Sequence, residues 1–150
     1  MDIVEKKQDE AINNIIKVYL AQMNSAMKIS KIICEHSDEE NILTGDHIIC
    51  GLIYRLMVPM DEDDMIESMN KADDILNDSE SESDESDEEI LYEIPREKRR
   101  LKTNNCNCDI CVKCRECISE YEDYETYDPM VTRFKDSIKE ACNKHNIYIN

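Results

Sequence analysis

Residues 11–36 read AINNIIKVYLAQMNSAMKISKIICEH, and the spacing of their apolar side chains decides what kind of fold the chain can have. Ile12, Ile15, Ile16, Tyr19, Leu20, Met23 and Met27 recur at i, i+3, i+4 and i+7, which gathers them on one stripe of an α-helix. Val18, Ile29, Ile32 and Ile33 widen the stripe. A helix with so broad an apolar face is expected to be contacted from more than one side, as a central helix is. At about 1.5 Å of rise per residue it runs roughly 40 Å.

Outward from that helix, the sequence reads as shorter helices and polar segments. Ser37 to Asn41 breaks the long helix near His36. Thr44 is placed to cap a second helix with Ile48, Ile49, Leu52, Ile53, Leu56 and Met57 on its apolar side, and Pro59 stops it. Asp61 can cap a third helix to about Leu76, whose inner face is expected to be Met65, Ile66, Met69, Ala72 and Leu76. Near the end, Asp128 and Pro129 start a helix that carries Val131, Phe134, Ile138, Ala141, Cys142 and His145 on one side. Two glycines, no Trp and 5% aromatic residues in 150 agree with helices and not with a β-sandwich.

The net charge of −17 is local. Residues 1–60 carry −3, residues 61–89 carry −14 and residues 90–150 are neutral. NDSESESDESDEE, residues 77–89, contains no apolar side chain, so it cannot bury enough surface to offset its ordering entropy and reads as a disordered acidic linker. Ser79, Ser81 and Ser86 each stand three residues before an acid, a pattern suited to phosphorylation by acid-directed kinases. The tract's natural partners are basic proteins, and duplex nucleic acid is disfavoured, because binding there depends on Lys and Arg displacing counterions. Arg96, Lys98, Arg99, Arg100 and Lys102 form the one basic run and are the candidate nucleic-acid or import contact.

Chemistry concentrates in the cysteines. Cys106, Cys108, Cys111, Cys114 and Cys117 give C-x-C-x2-C-x2-C-x2-C, and Cys142 and His145 add a C-x2-H pair. Spacings of this kind let thiolates converge on one soft ion, and zinc is the expected cofactor. The expected ligands are Cys108 and Cys111, with either Cys142 and His145 or Cys114 and Cys117. The ferredoxin run's x3 spacing and terminal proline are missing. His36 is expected to be a helix-end histidine stabilised by the carboxyl-terminal dipole, and Cys34 and Cys50 core residues. No Gly-rich phosphate loop, nucleophile elbow or paired catalytic acids can be picked out, so a non-enzymatic role is expected.

The stretch from Ala11 to about Met60 resembles the second half of a histone fold. The long helix ending at His36, the polar loop, Ile42-Leu43-Thr44 and the helix with Ile48 and Leu52 are similar to that family's central helix, second loop and third helix. Arg55-Leu56-Met57-Val58-Pro59 followed by another helix is similar to the core histone that carries an additional carboxyl-terminal helix. The resemblance implies pairing with a second histone-fold chain, or with itself, through Ile12, Ile15, Ile16, Tyr19, Leu20, Met23, Met27 and Leu52. Two departures stand out: about ten residues precede the long helix, too few for the family's first helix, and the loop that faces phosphate in DNA-binding members is here Ser37-Asp38-Glu39-Glu40.

The expected protein is therefore mainly α: a histone-fold-like helical module over residues 1–76, an acidic linker over 77–89, and a small cysteine-rich, zinc-binding module over 90–150. The expected function is a non-enzymatic interaction protein that pairs with another helical chain, in a chromatin or DNA setting. The alternative is a zinc-dependent adaptor that binds protein or nucleic acid through residues 90–150. No run approaches the ~18 apolar residues of a membrane span. Eight cysteines without an export signal lead to the expectation of an intracellular protein, nuclear or virus-associated, with reduced thiols.

Overall fold

The apolar stripe builds a single helix, α1, Ile3–Glu35, which starts well before the stripe's first residue, Ile12, because MDIVEKKQDE offers straight-chain helix formers and no breaker. The structure is a computed structural model that describes residues 3–37, 42–77 and 97–149. Four further α-helices follow among the described residues: α2 Gly45–Met57, α3 Glu62–Asn77, α4 Asp109–Glu120, which runs on into a 3-10 turn at Tyr121–Asp123, and α5 Pro129–Lys144. Beta structure among the described residues is one short parallel pair, β1 Arg99–Arg100 with β2 Ile147–Tyr148. The protein is mainly α, as the composition requires. No helix among the described residues is long and apolar enough to cross a membrane. The acidic tract and Arg96 lie almost wholly outside the described residues.

Two compact units divide the chain. The first consists of the described residues of Met1–Ser25 and Met60–Ile90, that is, the first part of α1 with α3. These helices meet through small and polar side chains. Ser25 donates to Asp64 at 2.5 Å, Asn24 donates to Ser68 at 3.1 Å, and Lys17 pairs with Asp73 at 2.8 Å. Ala21, Ser25, Ser68 and Ala72 are essentially inaccessible. The inner face of α3 is thus Asp64, Ser68 and Ala72, spaced i, i+4, i+8. Met65, Ile66 and Leu76, expected inside, are exposed.

The second unit combines the described residues of Ala26–Pro59 with those of Leu91–Asn150. This corrects the expected boundaries, because the cysteine-rich segment packs on α2 and on the end of α1 instead of forming a module of its own. Thr44 caps α2 as expected: its hydroxyl accepts from the His47 backbone N–H, and the Thr44 backbone N–H donates to His47 Nδ1 at 3.1 Å, which completes a capping box. The α1–α2 crossing is very close at Gly51, where a Cβ would stand 2.5 Å from the Ala26 carbonyl and 2.9 Å from the Ser30 nitrogen. Helix α2 also meets α4 and α5, with Ile49, Cys50, Ile53, Cys114, Phe134 and Ile138 among the buried side chains of the unit.

Helix α4 carries most of the cysteine run. Cys111, Cys114 and Cys117 recur every three residues and continue into Ile118 and Tyr121, and all five are buried. Beyond Cys111, the C-x2-C of Cys114 and Cys117 reads as part of the apolar stripe of a helix, since free cysteine packs as a small hydrophobe. Helix α5 matches its expected form: Asp128 Oδ1 accepts from Met130 and Val131, Pro129 opens the helix, and Phe134, Ile138 and Cys142 are buried. Beyond it, Asn146 adopts φ 54°, a left-handed residue that Asn tolerates, and turns the chain into β2.

The segment that precedes the cysteines is pinned to α2. Both terminal nitrogens of the Arg99 guanidinium, Nη1 and Nη2, donate to the Asp46 carboxylate at 2.8 Å, and the Lys102 backbone N–H adds a third bond at 2.8 Å. Burial alone would raise the Asp46 carboxyl, but Arg99 and the Lys102 N–H outweigh it and hold it below its ordinary 3.8. Leu101 and Arg99 donate to the Tyr148 and Asn146 carbonyls, each at 2.9 Å.

Candidate metal centre

The carboxyl end of α1 and the amino end of α4 converge on one cluster. α1 closes with His36 N–H donating to the Ile32 carbonyl at 3.1 Å and with the Ser37 hydroxyl donating to the Cys34 carbonyl at 2.7 Å. That closure leaves the His36 ring projecting beyond the last turn. Its Nδ1 stands 3.2 Å from Cys108 Sγ, 3.4 Å from Cys106 Sγ and 3.6 Å from Cys111 Sγ. The four donor atoms all lie within 4.8 Å of one another. Three sulfurs and one imidazole nitrogen on a common centre form a group that can hold a metal ion.

Local structure prepares the sulfurs for negative charge. Cys108 is the N-cap of α4, and its Sγ accepts from the Cys111 backbone N–H at 3.4 Å. The Cys108 backbone N–H in turn donates to Cys106 Sγ at 3.4 Å. Helix amino termini favour anions, and a thiol placed there ionises easily. The Cys111 backbone N–H leads in pulling the Cys108 thiol down to about 6; Cys111, Cys106 and His36 side chains assist and burial opposes. Cys111 moves the other way, pushed up to about 12 mainly by burial and by its two thiol neighbours, against the Asn104 amide. Without a cation the Cys108 thiol ionises readily and the Cys111 thiol resists. A cation at the centre removes that resistance, which is the linkage expected of a metal site.

Of the expected ligands, Cys108 and Cys111 belong to this group; Cys114, Cys117, Cys142 and His145 do not. Cys114 is buried and its Sγ donates to the Cys50 carbonyl at 3.5 Å. The Cys50 interaction and burial hold its thiol far above the ordinary range. Cys117 and Cys142 are buried and pushed up by that burial to about 11. Such thiols stay protonated and pack as core. His145 is the C-cap residue of α5. The residues missing from the expected set are His36 and Cys106. Cys106 stood in the motif, but nothing in the spacing distinguishes His36 from His47 and His145 as the fourth donor.

The basic run is partly committed elsewhere. Arg99 is spent on Asp46, while Lys98, Arg100 and Lys102 are exposed. On α1, Ile12, Ile15, Ile16 and Met23 are 40–54% exposed. Tyr19, Leu20, Met27 and, on α2, Leu52 are half-buried.

Comparison of the chain with protein-family models, with curated proteins and with solved structures finds no match.

Proposed function

We propose that this protein is a non-enzymatic interaction protein whose first unit pairs with a second amphipathic helical chain, histone-fashion, along the outer stripe of α1, and whose second unit is held by a structural zinc ion. The observation that carries the pairing is the inverted packing of α1 and α3. Their mutual seam uses Ala21, Ser25, Ser68 and Ala72, while Ile12, Ile15, Ile16, Met23, Met65 and Ile66 remain exposed. Isolated exposed apolar residues need no explanation, but a run of them at helical spacing marks an interaction face. The resemblance of this helix and its successors to the histone fold supplies the mode, two chains side by side along their central helices.

Native mass spectrometry under reducing conditions tests the pairing. The expected result is a dimer that an Ile12→Glu/Ile15→Glu variant reduces to monomer with its helix content retained. A monomer that still binds an apolar dye through α1 would place the partner in another chain. A compact monomer without dye binding would overturn the pairing.

Zinc suits the second unit on donor set and spacing. With Zn–S near 2.3 Å and Zn–N near 2.05 Å, a tetrahedron places its nitrogen and sulfur ligands about 3.5 Å apart. The His36 nitrogen lies 3.2, 3.4 and 3.6 Å from the three sulfurs. Four protein donors leave no open position for substrate or water, so the ion's contribution is to hold the end of α1 against the loop before α4. His36 and Cys106–Cys111 are 70 to 75 residues apart in sequence, and closing so long a loop is where a cross-link contributes most.

A further inference from the structure

Two of the three sulfurs in the cluster receive a hydrogen bond from the backbone of their own segment: Cys106 from the Cys108 N–H and Cys108 from the Cys111 N–H. Cys111, the most deeply buried of the three, receives its bond from a side chain. The Asn104 amide donates to Cys111 Sγ at 3.2 Å and to the Ile33 carbonyl at 3.1 Å. Its orientation follows from chemistry, because Arg115 donates to Asn104 Oδ1 at 3.0 Å and a guanidinium can only donate. The oxygen of the amide must therefore face Arg115, which turns the NH2 toward Cys111 and Ile33. Arg115 fixes the rest of the segment too, donating to the Asn104 carbonyl at 2.9 Å and to the Cys106 carbonyl at 2.7 Å.

We infer that Asn104, oriented by Arg115, is a positioning residue of the metal centre that supplies the third N–H to the sulfur cage and so sets metal affinity and the nucleophilicity of Cys111. This inference rests on the metal-centre reading above. An N–H aimed at a metal thiolate withdraws charge from sulfur and fixes its direction, and partners of this kind commonly govern affinity by roughly 10–100-fold. The same amide ties the centre to α1, since Ile33 is one of the last carbonyls of that helix and has no partner within it. Arg115 stands one turn after Cys111 on α4, so its cation also lies beside a cluster that, with zinc, three thiolates and neutral imidazole, carries a net negative charge.

Asn104→Asp keeps the shape and the oxygen that faces Arg115 but removes the donor. Co(II), whose thiolate charge-transfer and ligand-field bands report directly on such a site, is titrated into the full chain, and each cysteine of the metal-loaded protein is mapped for alkylation by mass spectrometry. The expected result is that Asn104→Asp and Asn104→Ala bind Co(II) roughly 10–100-fold more weakly, with a shifted charge-transfer band, and that Cys111 alkylates faster while Cys106 and Cys108 change little. Arg115→Ala should reproduce part of the effect and Arg115→Lys less of it. Unchanged affinity, spectrum and Cys111 rate in Asn104→Asp would overturn the inference, as would equal acceleration at all three cysteines, which is the mark of a loosened loop. A wild-type chain that develops no thiolate–Co(II) bands would instead overturn the metal centre itself.

Discussion

Replacing Gly51 with alanine should destabilise the second unit although it improves helix propensity. In an ordinary helix interior the change stabilises by about 1 kcal/mol. Here the added Cβ meets the Ser30 side chain, the Ala26 carbonyl at 2.5 Å and the Ser30 nitrogen at 2.9 Å. A hydroxyl can rotate away, but two backbone atoms of α1 cannot, so α1 and α2 must separate along the crossing. Overpacking of this kind costs about 1–3 kcal/mol, and rigid backbone contacts place it at the upper end, leaving a net loss of about 2 kcal/mol. In a domain of 60–100 residues that is a fall in Tm of roughly 8–16 °C. Circular dichroism melts of wild type and Gly51→Ala, both under reducing conditions, measure it. Ser30→Ala in the Gly51→Ala background should restore only part of the loss, since it removes the hydroxyl and leaves the Ala26 carbonyl in place. A Gly51→Ala protein as stable as wild type, or more so, would refute the close crossing.

Two further predictions concern the anchors of α2. Asp46 is held below 3.8 in the folded chain, so its stabilising effect is complete above that value and is lost as pH falls through the lower, folded one. Asp46→Asn should lower the urea midpoint at pH 7, and the gap to wild type should close in melts taken progressively below pH 3.8; a gap that persists there would contradict the pairing with Arg99. Thr44→Ala removes the hydroxyl half of the capping box and should cost about 1 kcal/mol in urea unfolding, whereas Thr44→Ser should cost much less; equal losses would assign the effect to the methyl group instead of the cap.

Helix positions were readable in the sequence because periodicity and caps are local. Thr44, Asp61 and Asp128 each stand where a helix begins, and Pro59 where one has ended. What lies inside was readable only where burial follows hydrophobicity. α5 obeys that rule, with Phe134 and Ile138 buried. α3 breaks it, because its contact with α1 is made by Asp64, Ser68 and Ala72, and close approach through small residues leaves no apolar signal.

The cysteines show the same limit from the chemical side. A three-residue spacing serves both a metal-binding turn and one face of a helix, so Cys108 to Cys117 could not be divided by inspection into ligands and core. The division depends on where α4 begins. Cys108 caps it, Cys111 sits in its first turn, and Cys114 and Cys117 are carried into the core of the unit. The sequence marks His36 as a helix-end histidine, and it stands directly after α1; that it also faces three sulfurs is a tertiary fact, set by the α1–α2 crossing and by the Arg99–Asp46 anchor that brings the loop across. The union of the cysteine segment with α2 was hidden for the same reason, because no spacing within either segment refers to the other.

The most direct test is metal content per chain, measured by native mass spectrometry on the zinc-supplemented protein, its His36→Ala and Cys108→Ser variants, and a Cys114→Ser/Cys142→Ser double variant. The account predicts one zinc ion per chain in wild type and in the double variant, and loss or sharp weakening of that ion in the other two. Absence of metal from wild type, or metal retained without His36 and lost with Cys114 and Cys142, would contradict it.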